Sequence, residues 1–288
     1  TKLCKHTQEI FNTLDNPLYK YNYDDTTKVE PEYYVPILPM ILVNGTQGIG
    51  TGWSTDVPCF NPKDLVNNMK RHMEGEEMVE MAPFYRGFEG QIKMDKAGKT
   101  YITKGTYVIS DSKIIITELP VGMWTDKYKE FLETLVIDSK KPTKKQIIRY
   151  YNSYCTDTKI HFELILSNEQ IEKMDVMDWK LGYTTLEKQL KLVSNLSMTN
   201  MVLYDRNNQI KKYKNPLEIL QEFCETRLHF YIRRKEHLLV EIKKDIEMLK
   251  IKIRFINMFI EDKIQIIKKN KKEIEGQLET LEFRKVDG

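Results

Sequence analysis

The apolar positions of this chain fall into three kinds of pattern along its length. From Thr1 to Leu14, the residues Leu3, Ile10, Phe11 and Leu14 share one side of a short helix, which Asn16-Pro17 and the acidic turn at Asp24-Asp25 then break. From Glu30 to Pro216, short β-rich runs alternate with amphipathic ones. Leu65, Met69 and Met73 give helical spacing to Pro62–Met73. Thr106–Ser110 and Lys113–Leu119 read as paired strands around an Asp111-Ser112 turn. Trp124–Leu135 reads as a helix, and Lys159–Leu166 as a strand. Beyond Pro216, the last proline, Leu239, Ile242, Ile246, Leu249, Ile253, Ile256 and Ile260 step alternately by three and four, the condition for coiled-coil packing. Only Gly276 interrupts helical composition there, so the pattern predicts an unbroken helix from Leu217 to Phe283, roughly 100 Å long. The competing expectation is a helix broken near Lys235 and Lys268 and folded into a compact bundle.

The middle stretch contains Pro36-Ile37-Leu38-Pro39-Met40-Ile41-Leu42-Val43-Asn44-Gly45-Thr46-Gln47-Gly48-Ile49-Gly50-Thr51-Gly52-Trp53-Ser54. Glycines at 45, 48, 50 and 52 let this backbone approach another surface closely. No Gly-Lys-Ser/Thr follows, which excludes a Walker A phosphate cradle in its usual form. Ile49 is the odd residue, a stiff apolar side chain between two glycines. One reading anchors it in the core. The other makes it a wedge that enters stacked bases and kinks a duplex.

Composition sharpens this only locally. Lys and Arg number 45 against 42 Asp and Glu, a formal charge of +3 over 288 residues, so the totals demand no nucleic-acid partner. The basic residues do bunch, at Lys140-Lys141, Lys144-Lys145, Lys211-Lys212-Tyr213-Lys214, Lys243-Lys244 and Lys268-Lys269-Asn270-Lys271-Lys272. Such clusters can bind phosphate although acidic residues elsewhere cancel the sum. The four cysteines, Cys4, Cys59, Cys155 and Cys224, are scattered, which argues against a zinc module and a disulfide scaffold. No apolar run approaches the roughly 20 residues of a membrane span. A chain opening Thr1-Lys2-Leu3-Cys4 without an initiator Met suggests a piece of something longer.

The run from Glu30-Pro31-Glu32-Tyr33-Tyr34 through Trp53-Ser54 closely resembles the eukaryotic type IIA DNA topoisomerases. So do Asn67-Asn68, Glu118-Leu119-Pro120, Trp124-Thr125, Tyr128-Lys129-Glu130, Met201-Val202-Leu203-Tyr204-Asp205 and Lys211-Lys212-Tyr213, in order and over essentially the whole chain. The resemblance implies an α+β fold in three parts. Residues 1–29 would be the end of a winged-helix domain with its linker, 30–215 a tower domain with a DNA-bending loop, and 216–288 the first limb of a coiled-coil arm. It implies intercalation by Ile49, with DNA contact by Gly48 and Gly50 on either side. It also implies DNA contact along Lys191–Asn200, where Lys191, Ser194, Asn195, Ser197, Thr199 and Asn200 offer small donors to phosphate oxygens.

In that family a tyrosine after an arginine attacks the DNA phosphodiester, in a motif running on into Thr-x-Leu. Thr1-Lys2-Leu3 matches the end of that motif, so the nucleophile is expected upstream of Thr1 and the chain alone is expected to be inactive. Mg²⁺ and ATP would be bound outside this chain, by a nuclear homodimer acting on duplex DNA. Gly122-Met123 departs from the family, where a basic residue is common. The alternative is a non-enzymatic architectural DNA-binding protein that dimerises through its coiled coil.

Overall fold

The computed structural model describes residues 2–95, 98, 100–137, 146–178, 181–267 and 269–283. The Lys140-Lys141 and Lys144-Lys145 clusters and Lys268 lie outside them. The chain divides into two compact units, one of Pro36–Thr226 and one joining Thr1–Val35 to Arg227–Gly288.

The larger unit is mixed α and β. Its main sheet has four antiparallel strands in the order Thr106–Ser110, Lys113–Glu118, Phe162–Ile165 and Tyr150–Ser153. Alternation along these strands explains the packing, because successive side chains face opposite sides. Ile114 and Ile116 are buried while Ile115 is not, and they lie opposite Leu164 and Phe162 in register. Against that face packs the helix Thr125–Leu135, burying Tyr128, Leu132 and Leu135. The helix Pro62–Met73 begins as its sequence requires, with Pro62 at the first position and the Asn61 side chain accepting from Lys63 N–H. It buries Leu65 in a second core with Leu42, Val57, Phe60, Met201, Tyr213 and Leu220. Asn68, part of the family-like Asn67-Asn68 pair, is buried and has a structural task. Its amide donates to Val79 O at 2.9 Å and accepts from Val79 N–H at 2.7 Å.

In the smaller unit, the first residues form a short helix at Thr7–Ile10 and a 3₁₀ helix at Thr13–Leu18. Asn16-Pro17 therefore lies inside a helical turn instead of ending one. Near Asp24-Asp25 the chain does turn, at Asp25-Thr26, between strands Tyr21–Asp24 and Thr27–Pro31. Asp15 is fully buried and takes two guanidinium groups. Arg227 donates to it at 2.7 Å, and Arg234 donates to both oxygens, each at 2.7 Å. These arginines are seven residues apart, two turns of one helical face. Burial alone would raise the Asp15 carboxyl, but the hydrogen bonds and charges of Arg234 and Arg227 hold it below its ordinary value.

The long helix runs from Pro216 to Ile260, 45 residues or about 67 Å. This corrects the expected unbroken span to Phe283. It also corrects the competing break near Lys235, where the helix is continuous. The stop is a Schellman motif. Asp262 adopts φ +57°, its N–H donates to Phe259 O at 3.1 Å, and Lys263 N–H reaches back to Met258 O at 2.9 Å. Ile264 is then buried, and a second helix follows at Lys271–Thr280. The chain doubles back here, since Arg254 donates to Leu281 O at 2.8 Å and the Phe255 and Phe283 rings meet edge to face. The seven residues of the three-four stripe are still 46% to 73% exposed.

Candidate nucleic-acid interface

The glycine-rich segment folds as a hairpin in the larger unit. Strand Thr46–Ile49 pairs with Ser54–Val57, in the register Thr46 to Val57, Gln47 to Asp56, Gly48 to Thr55 and Ile49 to Ser54. Its base is tight. A short helix, Met40–Asn44, buries Leu42 and ends at Gly45, whose φ of 65° and ψ of 176° suit essentially glycine alone. A Cβ on Gly45 would lie 2.7 Å from the Val57 carbonyl oxygen. The Cys59 thiol donates to Asn44 O at 3.0 Å, and Phe60 N–H donates to Leu42 O at 2.7 Å, so the hairpin is rooted in the second core.

The tip is open. Gly50 N–H donates to Trp53 O at 2.7 Å and closes the turn, while a Cβ on Gly48 would meet nothing within 4 Å. Ile49 is 93% exposed, and Trp53 beside it is 54% exposed. The core-anchor reading of Ile49 is therefore excluded. Full exposure of a large aliphatic residue forgoes about 1.5–3 kcal/mol of burial.

Half of the expected contact segment Lys191–Asn200 is a strand. Val193–Ser197 forms one edge of a three-stranded sheet, pairing with Thr100–Lys104, which pairs in turn with Gln91–Met94. Asn195 is exposed and Ser194 half-buried. Ser197 and Thr199 bond to each other through their hydroxyls at 2.9 Å, and Thr199 N–H donates to Ser197 Oγ. Lys191 lies before the strand at φ +50°, its ammonium 4.1 Å from the centre of the Phe131 ring. It stays exposed there, with Tyr128 OH donating to the adjacent Leu190 O at 2.9 Å.

Asn200 is the member of this segment that meets the hairpin. Its side-chain amide donates to Ser54 Oγ at 3.0 Å, and its carbonyl accepts from Asp56 N–H at 2.8 Å. One step on, Val202 N–H donates to Thr55 Oγ1 at 3.3 Å. Nothing in local pattern pointed to Ser54 or Thr55, which lie some 146 residues from their partners.

The basic run at Lys211 is less available than its charge suggests. Lys211 donates to Glu222 at 2.9 Å and pairs with Glu218 at 3.3 Å, and Tyr213 OH donates to the same Glu222 oxygen at 3.0 Å. The Glu222 hydrogen bond holds the Lys211 ammonium more firmly protonated than usual. Among the described residues, no group of three or more His, Cys, Asp or Glu side chains could hold a metal ion. Nor is any helix among them long and apolar enough to cross a membrane.

Comparison with known proteins gives one consistent answer. The family model for the DNA gyrase/topoisomerase IV A-subunit matches residues 1–287. DNA topoisomerase 2 of Candida albicans is 41% identical over 286 residues, covering 99% of this chain and 19% of its own length. DNA topoisomerase 2 of Saccharomyces cerevisiae is 39% identical over 285 residues, covering 98% and 19%. The fold is similar to a crystal structure of the Plasmodium falciparum topoisomerase II DNA-binding, cleavage and re-ligation domain. That match has a TM-score of 0.87 at 37% identity, over 97% of this chain and 37% of that one. The chain thus spans about a fifth of the length of the curated relatives it matches. These relatives do not favour the architectural-protein alternative. With the family model spanning residues 1–287, the chain belongs to the DNA gyrase/topoisomerase IV A-subunit family, alongside the eukaryotic DNA topoisomerases 2.

Proposed function

We propose that this chain is the part of a DNA topoisomerase II that grips and bends the duplex to be cleaved. The parent enzyme would pass a second duplex through that transient double-strand break. The observation that carries the reading is Ile49, almost wholly exposed at the tip of a rooted hairpin. A branched aliphatic side chain presented in this way can unstack a base step, at a cost of a few kcal/mol offset by contacts that bent DNA permits. Gly48 and Gly50 keep its flanks slim. Lys191, Ser194, Asn195, Ser197 and Thr199 are the side chains of the segment proposed to face the phosphates.

Within the parent, residues 1–29 would end a winged-helix domain, 30–215 form the tower, and 216–288 supply an arm limb whose first helix stops at Ile260. The parent would be a nuclear homodimer using ATP and Mg²⁺. Both cofactors are assigned to sequence outside this chain on the strength of the family resemblance. The nucleophilic tyrosine is likewise assigned upstream of Thr1.

The test is a duplex labelled at both ends for energy transfer. The wild-type chain should bind it in a salt-dependent way and shorten the end-to-end distance, with no covalent protein–DNA adduct. Ile49→Ala should abolish the shortening, while its own stability changes by no more than about 0.5 kcal/mol. An unbent duplex with the wild type, or an Ile49→Ala complex bent as before, would defeat the reading.

A further inference from the structure

We infer that Asn200 is a positioning residue, a brace that holds the Ile49 hairpin rigid against the strand Met201–Tyr204, instead of one more donor to phosphate. The inference rests on the wedge reading of Ile49 and adds what makes a wedge usable. A side chain that pushes bases apart is itself pushed back, and a lone two-stranded hairpin is marginally stable in water. Its backbone needs a fixed support close to the load.

The register supplies that support at the required place. Ile49 lies directly opposite Ser54, and Ser54 Oγ accepts from the Asn200 amide at 3.0 Å. Gln47 lies opposite Asp56, whose N–H donates to Asn200 O at 2.8 Å. Between these, Thr55 Oγ1 accepts from Val202 N–H at 3.3 Å. Three successive residues of the returning strand are thus tied to Asn200 and Val202, and Asn200 makes two of the ties. The attachment point is fixed in turn, because Met201 is fully buried and Met201–Tyr204 pairs with Ile210–Tyr213. The Ser197–Thr199 hydroxyl bond shapes the turn that delivers Asn200.

A brace and a phosphate donor predict different things. If Asn200 acts through Ser54, then Asn200→Ala and Ser54→Ala remove the same interaction, and the double variant should be no worse than either alone. An independent phosphate contact would make the losses add. Asn200→Asp separates the two again, because a carboxylate can still accept from the Ser54 hydroxyl while it repels phosphate.

The experiment measures end-to-end distance in the labelled duplex at saturating protein, which separates the bend from affinity. The expected result is a smaller bend for Asn200→Ala, an equal reduction for Ser54→Ala, no further loss in the double variant, and recovery of the bend in Asn200→Asp despite weaker binding. Hydrogen exchange on the free chain is the second readout. In both alanine variants the Gly50 and Asp56 amides should exchange roughly three- to tenfold faster, the value of one hydrogen bond. Additive losses in the double variant, or unchanged exchange at these amides, would overturn the brace. Since exchange needs no DNA, it judges the brace even if the wild-type chain fails to bend the duplex, an outcome that would fall on the proposed function instead.

Discussion

Of the regions of this molecule that expose aliphatic side chains to water, the hairpin and the long helix do so in opposite ways. At the hairpin, one isoleucine is exposed, between glycines, on a backbone tied down at its base and along its returning strand. On the long helix, the seven stripe residues from Leu239 to Ile260 are exposed together, each partly covered by its neighbours. A lone side chain on a narrow support cannot bury much area against a flat surface, but it can enter a gap. A stripe cannot enter anything, but another helix can cover it along its length. Exposure alone therefore does not distinguish a tool from an interface. The number of residues and the stiffness of what carries them do.

The largest effect is expected where the long helix is anchored. Asp15→Asn removes the carboxylate that, among the described residues, pairs with both Arg227 and Arg234, leaving two guanidinium groups without that counter-charge. Breaking a buried pair in this way costs about 3–5 kcal/mol. Chemical denaturation should show that loss. The pH dependence has a definite sign. Because the Asp15 carboxyl is held below its ordinary value of 3.8, its contribution is complete above that value and fades as pH falls through the lower folded-state value. Acid unfolding below about pH 4 should lose this component in the variant.

Next comes the root of the hairpin. Gly45→Ala forces a Cβ to within 2.7 Å of the Val57 carbonyl oxygen, at dihedral angles only glycine adopts readily. A cost of about 1–3 kcal/mol is expected. Gly48→Ala is the control, since its Cβ would meet nothing within 4 Å and stability should stay within about 0.5 kcal/mol. If both substitutions proved equally harmless to a thermal melt, the hairpin would not be the rooted element that the contrast with the helix requires.

Legibility in the sequence followed the range of the interaction. The helix Pro62–Met73, the hairpin around Asp111 and the helix ending at Leu135 could be read because period and capping residues are local signals. The exposed Ile49 could be suspected from its glycine neighbours. The end of the long helix could not, because its left-handed residue is Asp262 where glycine would have announced a stop. The pair Tyr21–Asp24 and Thr27–Pro31 escaped for a related reason: both strands are largely solvated and carry no burial alternation. The tie from Asn200 to Ser54 and the pairing of Asp15 with Arg227 and Arg234 join residues far apart in the chain. Their side chains are ordinary surface types until the fold brings them together.

The smallest effect on stability, and the sharpest on the comparison, concerns the stripe. Ile246→Lys and Ile253→Lys replace side chains already 46% and 57% exposed, so each should change stability by no more than about 0.5 kcal/mol. Their effect should appear in what the surface attracts. An apolar stripe along the helix invites a hydrophobic dye or a second helix, and charges placed at alternate turns break it into patches too short for either. Dye fluorescence and concentration-dependent sedimentation should both fall in the double lysine variant. Ile49→Ala should leave both unchanged, because Ile49 and the half-exposed Trp53 beside it make a patch far shorter than the stripe. If the dye responded equally to the two changes, the distinction between a side chain that penetrates and a surface that is covered would fail at the point where it is most directly measured.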